Sequence, residues 1–98
     1  MIDGSYEVLV LVDEACNLMV HDEAVSGLTG LDIVACRAMA VALAVGSEPV
    51  PVNVESTVGE CIGRAARLSA AWDPAQLTAE ALQLVLLLSD VNYELNKA

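Results

Sequence analysis

The segment from Leu77 to Leu95 places an apolar side chain alternately at every fourth and third residue. This heptad spacing aligns the side chains along one stripe of an α-helix, and the stripe needs another apolar surface to cover it. Three more apolar residues, Leu82, Val85 and Leu86, widen the arc beyond what one adjacent helix covers. The pattern predicts a helix in a bundle, with one flank inside and the other offered to a second copy. The stripe consists of Leu77, Ala81, Leu84, Leu88, Val91 and Leu95.

Capping residues predict the boundaries of the last two helices. An Asp-Pro-Ala-Gln run at Asp73–Gln76 predicts the start of the fourth helix, because Asp is a good N-cap and Pro suits the first helical position. This helix extends towards Asn96. Thr57 and Glu60 have the spacing of a capping box, in which each side chain satisfies a backbone N–H of the other residue. They predict a third helix that runs to Trp72.

The second helix is predicted to be apolar on all sides. Thr29 and Asp32 form a variant of the capping box, which predicts a start near Gly30. The helix extends to Val45, and Gly46 stops it. Only two charged residues interrupt the apolar sequence between these ends. A helix without a polar face is typical of a central position in a fold or of an interface.

The first helix is predicted from about Tyr6 to Val20, with Ser5 as its N-cap. A run of Val and Leu in its first half also has strand propensity, so that a short strand over residues 7–12 is an alternative. Between the second and third helices, closely spaced prolines exclude helical geometry. They predict an extended segment or a short strand at residues 49–54.

The chain is rich in apolar residues but has few aromatic ones. It has 98 residues, of which 56% are hydrophobic, and it contains no Phe. This length predicts one domain over residues 1–98, and the helical patterns predict an all-α four-helix bundle. A domain of this size has little interior in which to hide so much apolar surface. We therefore expect self-association, most simply as a dimer through the second and fourth helices.

The net charge of −10 limits the classes of partner. Phosphate groups would repel the chain, which argues against nucleic acid and against anionic membrane surfaces. A basic protein surface is the more natural counterpart. The longest apolar stretch, Ile33–Val45, is interrupted by Arg37 and is shorter than the roughly 20 residues that a spanning helix needs. No membrane association is expected.

The three cysteines, Cys16, Cys36 and Cys61, are odd in number and widely spaced. This pattern argues against a disulfide framework and against a zinc site. The N-terminal residues also lack the positive region of a signal peptide. We therefore expect buried, reduced cysteines in a cytoplasmic protein.

The sequence offers little that predicts catalysis. Glu14, Asn17 and His21 share one helical face, but His21 is the only histidine, so a site with several histidines within one chain is excluded. Cys16 and His21 are five residues apart, which places them on different sides of a helix. The glycine-containing stretch Ser26–Gly30 lacks the lysine and the spacing of a phosphate-binding loop. We expect neither an enzyme nor a bound cofactor or metal.

The stretch Gly27–Val34 resembles the motif that opens the second helix of acyl carrier proteins. The proline-containing turn at Glu48–Pro51 is also similar to the layout of that family. The resemblance implies a small, acidic, four-helical fold. Gly30 stands where the family has the serine that holds its phosphopantetheine arm, so the resemblance does not imply a working carrier. It supports an alternative function as an apolar small-molecule or acyl-chain binding protein, with Arg37 or Arg64 meeting a head group.

The function that we expect from the sequence is a small acidic protein–protein interaction module of the adaptor or inhibitor type. Charge would steer such a domain towards a basic partner, and an apolar patch would supply the affinity. The residues predicted to form its interaction surface are Arg37, Trp72, Leu84, Leu88, Val91, Tyr93 and Leu95.

Overall fold

The computed structural model describes residues 4–97. They form four α-helices and one short 3-10 helix, and no strand is present in this part of the chain. The predicted all-α four-helix bundle is confirmed. The elements are α1 at Ser5–Met19, α2 at Gly27–Leu43, α3 at Val58–Ala70, the 3-10 helix at Pro74–Gln76, and α4 at Ala79–Asn96.

The four helices pack as a square around one core. Helix α1 packs against α2 and α3, and α4 packs against the same two helices, so that α1 and α4 lie diagonally across the bundle. Small and medium aliphatic side chains from all four helices fill the centre, as expected for a core without Phe. Its largest fully buried members include Val8, Leu11, Val12, Ile33, Ile62, Leu84 and Leu88.

The first helix forms where it was expected, but its predicted cap is wrong. Residues 7–12 are helical rather than extended. Gly4 occupies the N-cap position with φ +86°, and Ser5 is the first helical residue. The Ser5 side chain is buried, and its Oγ lies 3.1 Å from Oγ of Ser47 in the connector after α2. Ser5 therefore ties the start of α1 to that connector instead of capping the helix.

Two further caps differ from those predicted. Helix α2 begins at Gly27 because Ser26, rather than Thr29, is its N-cap, and Ser26 Oγ accepts a hydrogen bond from Thr29 N at 3.1 Å. Asp73 caps only the 3-10 helix. Helix α4 has a cap of its own in Thr78, whose Oγ1 accepts from Ala81 N at 3.1 Å.

Thr57 is the N-cap of α3 as predicted, but the Glu60 side chain accepts from the Thr57 hydroxyl and not from its backbone N–H, so only half of the predicted capping box is seen. Thr57 Oγ1 accepts a hydrogen bond from Glu60 N at 3.1 Å, and the Thr57 hydroxyl lies 2.9 Å from Glu60 Oε1. Helix α2 ends at Leu43, two residues earlier than predicted, and the chain turns through Gly46, whose φ is +85°. Glycine adopts this left-handed conformation without steric cost.

An extended connector joins α2 to α3 and has no strand pairing at residues 49–54. Arg64 of α3 holds it in place. The guanidinium donates to the Asn53 carbonyl and lies 3.4 Å from Glu55 Oε1. It also donates to Glu7 Oε1 on α1 at 2.6 Å. One half-buried arginine thus joins two helices and the connector, and each charge-assisted hydrogen bond is worth about 1.5–3 kcal/mol.

The mid-helix glycines of α3 lie where α4 approaches closely. A Cβ on Gly59 would lie 2.9 Å from Asn96 Oδ1, and one on Gly63 would lie 3.4 Å from Asn92 Oδ1. Asn96 Nδ2 also donates to the Gly59 carbonyl at 3.3 Å. The missing side chains therefore allow contact between the two helices, which offsets the cost of glycine inside a helix.

Gly30 of α2 has no comparable role, so Gly30→Ala should stabilise the domain. The nearest atom to an added Cβ would be Met19 Sδ at 3.7 Å, an ordinary van der Waals contact. We expect a gain of about 0.5–1 kcal/mol in the free energy of unfolding, measured by urea denaturation. Gly4→Ala is the matched control and should destabilise, because φ at Gly4 is +86°. If Gly30→Ala destabilised the domain, that result would contradict the room for a Cβ that the 3.7 Å distance to Met19 Sδ indicates.

Candidate functional site

The inner stripe of α4 faces the core of its own bundle. Leu84 and Leu88 have no exposed surface and Val91 is 1% exposed. Leu95 is partly buried and packs against the same core. Helix α4 packs against α2 and α3, which lie on either side of it. The side chains of this stripe are not available at the surface to a second molecule.

The three remaining residues of the predicted interaction surface lie apart from one another. Trp72 is 8% exposed and belongs to the core, whereas Tyr93 is 67% exposed near the end of α4. Lys97 Nζ lies 6.0 Å from the centre of the Tyr93 ring, at the outer limit of a cation–π contact. Arg37 lies on α2. The structure therefore does not bring the predicted residues together into one surface.

Arg37 is paired within the chain. Its Nε donates to Asp13 Oδ1 on α1 at 2.6 Å, and both side chains are about half exposed. The hydrogen bond and the charge of Asp13 raise the pKa of Arg37. Arg64 is likewise held by Glu7 and Glu55. Both arginines that the sequence offered for a head group are thus paired with carboxylates of this chain.

Among the described helices, α2 exposes the most large apolar side chains. We call this exposed surface the outer α2 face; it extends into the turn after the helix. Its five larger side chains expose 45–79% of their surface, and two exposed alanines lie between them. Isolated apolar residues are common on protein surfaces, but a contiguous apolar strip marks an interaction site. The face consists of Leu28, Leu31, Val34, Ala38, Val41, Ala42 and Val45.

The spacing along this face is that of a helix-packing seam. Leu31, Val34, Ala38, Val41 and Val45 follow one another at intervals of three, four, three and four residues. A separate stripe on the same helix points into the core and includes Ile33, Cys36 and Ala40. Helix α2 thus has one seam for its own bundle and a second that no part of residues 4–97 covers.

The two outward-facing helices differ in charge. On α2 the only charged residues are Asp32 and Arg37, and Arg37 is neutralised by Asp13. Helix α4 also exposes apolar residues, Leu82, Leu86 and Tyr93. Three acidic residues of α4 are exposed near them, Glu80, Asp90 and Glu94. The outer α2 face can therefore be covered at a smaller desolvation cost than the exposed side of α4.

Within residues 4–97, no group of three or more His, Cys, Asp or Glu side chains is arranged to hold a metal ion. His21 is exposed beyond the end of α1. Cys16 lies on the α2 side of α1, with Sγ 4.0 Å from the Ile33 carbonyl oxygen. No helix in the described part of the chain has the length and apolar character needed to cross a membrane.

The cysteine side chains are free thiols with little nucleophilic character. Burial raises the pKa of Cys36 to about 12 and also raises the pKa values of Cys16 and Cys61. A raised pKa leaves little thiolate at neutral pH, and thiolate is the reactive form. In the unfolded chain the Cys36 thiol ionises near pH 9, so its ionisation lowers the stability of the fold as the pH rises from about 9 to about 12.

We therefore expect slow reaction of the native thiols with Ellman's reagent at pH 8. Cys36 and Cys61 are buried and should react at least roughly tenfold more slowly than in the unfolded chain, while the partly exposed Cys16 reacts first. Addition of a denaturant should release all three thiols. Rapid modification of Cys36 in the native chain would contradict its position in the core.

Comparison with known proteins gives no family model that matches the chain, and no significant match to a curated protein or to a solved structure. The outer α2 face is therefore the feature of this chain that bears most directly on its function.

The sequence indicated that α2 is apolar on all sides, but it did not identify the flank that lies outside. The available signal was the presence of two interleaved heptad stripes on one helix, one through Ile33 and Cys36 and one through Val34 and Ala38. A helix that needs only one apolar neighbour has one such stripe.

Proposed function

We propose that this chain is a small helical protein–protein interaction module that self-associates through the outer α2 face. The exposed heptad seam on that face supports the proposal. A seam of this kind fits a second helix, because side chains spaced by three and four residues interdigitate with the same spacing on a partner.

Charge favours a second copy of the chain over a basic partner. A basic surface would be drawn to the carboxylates, and these lie almost entirely off α2, which has Asp32 as its only acidic residue. Two copies that approach through α2 bring together the parts of their surfaces with the least charge, although each chain has a net charge of −10. The apolar face is thus the surface on which self-association meets the least repulsion.

The size of the face indicates a reversible dimer. From Leu28 to Val45 it is about 25 Å long at the helical rise of 1.5 Å per residue. A single helix pair of this length buries roughly 1,000 Å² in total, the low end for specific interfaces. Interfaces of this size belong to weak, transient complexes, so we expect a micromolar dissociation constant, on the order of 10 μM. The free thiols Cys16, Cys36 and Cys61 support a reducing, cytoplasmic location.

The test is sedimentation equilibrium of the native chain and of Leu31→Glu over a concentration range of about 1–300 μM, which brackets the expected dissociation constant. Leu31 is 67% exposed, so the substitution should preserve the helix content. It places a carboxylate from each copy in the interface and should weaken the dimer about 100-fold, or about 2.7 kcal/mol.

Leu86→Glu on α4 is the matched control. Leu86 is 57% exposed, and the same substitution there should leave the dimer intact. A native chain that stays monomeric at the highest concentration would overturn the proposal. Equal weakening by both variants would show that the added charge, and not its place on the outer α2 face, weakens the dimer.

A further inference from the structure

The flanks of the outer α2 face differ, and the difference determines how two copies can pair. One flank adjoins α1 and contains Arg37, with Asp13 of α1 at 2.6 Å. The other flank contains Ala35, with Ala42 at that edge of the face. In an antiparallel helix pair each flank faces the same flank of the partner, whereas in a parallel pair unlike flanks meet.

We infer that, within the self-association proposed above, the two α2 helices pair antiparallel, with Arg37 of each copy beside Asp13 of the other. The two-fold axis crosses the helices between Val34 and Ala38, at the level of residue 36. The partner copy thereby contributes a charged residue to each half of the interface.

Of the antiparallel registers that the seam spacing permits, the one centred at the level of residue 36 pairs the most seam residues within α2. Each heptad has two core positions, a and d. In an antiparallel pair, position a of one helix faces position d of the other. Leu31 of one copy then faces Val41 of the other, and Val34 faces Ala38. These contacts and their symmetry equivalents lie within Gly27–Leu43. Val45 reaches the first turn of the partner helix, where Gly27 leaves room for it.

The ion pair favours this orientation. Arg37 is one residue from the axis, so the two guanidinium groups lie about 3 Å apart along the helix direction, at 1.5 Å per residue. Each has its own Asp13 at 2.6 Å. Two acids and two bases therefore form an alternating group of four charges. In a parallel pair Arg37 would instead face the flank of Ala35 and Ala42, away from Asp13 of the other copy; the one acid of α2 on that side is Asp32, three residues before Ala35.

Two longer-range electrostatic interactions also favour the antiparallel pair. Opposed helix dipoles attract each other, whereas parallel dipoles repel. Asp22 and Glu23 precede α2, and Asp32 lies in its first half. A parallel pair would place these acids of both copies at the same level, whereas an antiparallel pair separates them along the helix.

Cysteine cross-linking tests the orientation. Antiparallel pairing places Leu31 of one copy opposite Val41 of the other, while two Leu31 residues are about 15 Å apart along the axis at 1.5 Å per residue. A disulfide needs Cα atoms within about 7 Å. Under mild oxidation with copper phenanthroline, a mixture of Leu31→Cys and Val41→Cys should give cross-linked dimer of mixed composition. Either variant alone should remain at least roughly tenfold less cross-linked.

The native chain, with its buried or partly buried thiols, is the control for background oxidation. Cross-linking of Leu31→Cys with itself would overturn the antiparallel orientation and leave the self-association standing. A monomeric native chain in sedimentation would remove both proposals, so the two failures are distinguishable.

The role of Arg37 has its own test. Arg37→Gln should raise the dimer dissociation constant about three- to tenfold and reduce its dependence on salt, because it removes half of the charge group. The helix content of the monomer should be unchanged, since both partners of the pair are half exposed. An unchanged dissociation constant and salt dependence would overturn the contact between Arg37 of one copy and Asp13 of the other.

Discussion

Leu88→Glu is expected to unfold the domain. The Leu88 side chain has no exposed surface and lies in the core of the bundle. A carboxylate at this position would lose its hydration and would gain no partner, at a cost of several kcal/mol. Small domains have about 5–15 kcal/mol of stability in total, and one of this size lies near the lower end. Circular dichroism should show the loss of most of the helical signal at neutral pH.

Leu86→Glu is the matched control for this prediction as well. Leu86 is two residues away on the same helix and is 57% exposed. The same substitution there should shift the midpoint of thermal unfolding by only a few degrees. A folded Leu88→Glu variant with a near-native melting temperature would contradict the position of Leu88 in the core.

Trp72→Ala is expected to cost about 3–5 kcal/mol, the usual range for the removal of a large aromatic side chain from a core. Trp72 is 8% exposed and follows the last turn of α3. A Cβ on Gly4 would lie 3.7 Å from Trp72 Nε1, so the indole closes the end of the bundle at which α1 begins. The measurement is urea denaturation followed by circular dichroism, because the variant has no tryptophan fluorescence.

Tyr93→Ala provides the aromatic control, since Tyr93 is 67% exposed. Its removal should change the free energy of unfolding by less than about 0.5 kcal/mol. If both variants lost the same stability, Trp72 would not have the structural role assigned to it.

The helices were predictable because their signals are local. Heptad spacing from Leu77 to Leu95 and the capping box at Thr57 depend on neighbours in sequence. The start of α4 was not predictable from one cap, because Asp73 and Thr78 are both competent caps. Leu77 lies between them and packs against the core. Because its backbone is extended, the 3-10 helix ends at Gln76 and α4 begins separately.

The interaction surface was harder to predict than the fold. Hydrophobicity shows that a stripe must be covered, but it does not show whether the same chain or another molecule covers it. The Leu84 and Leu88 stripe of α4 meets its own bundle. The α2 seam at Leu31 and Val41 stays outside. Only the arrangement of α1, α3 and α4 around the core distinguishes these two cases.

The order of the helices around the bundle also bears on how the chain folds. Helices α1 and α2 are neighbours in sequence and in space, and so are α3 and α4. The domain is thus two helical hairpins joined by the connector between Leu43 and Val58. Contacts within each hairpin close short loops, whereas those of α1 with α3 and of α2 with α4 span the connector; helical bundles as a class fold on the microsecond to millisecond scale. A cut in the connector would leave two halves, each with an apolar side that only the other half completes.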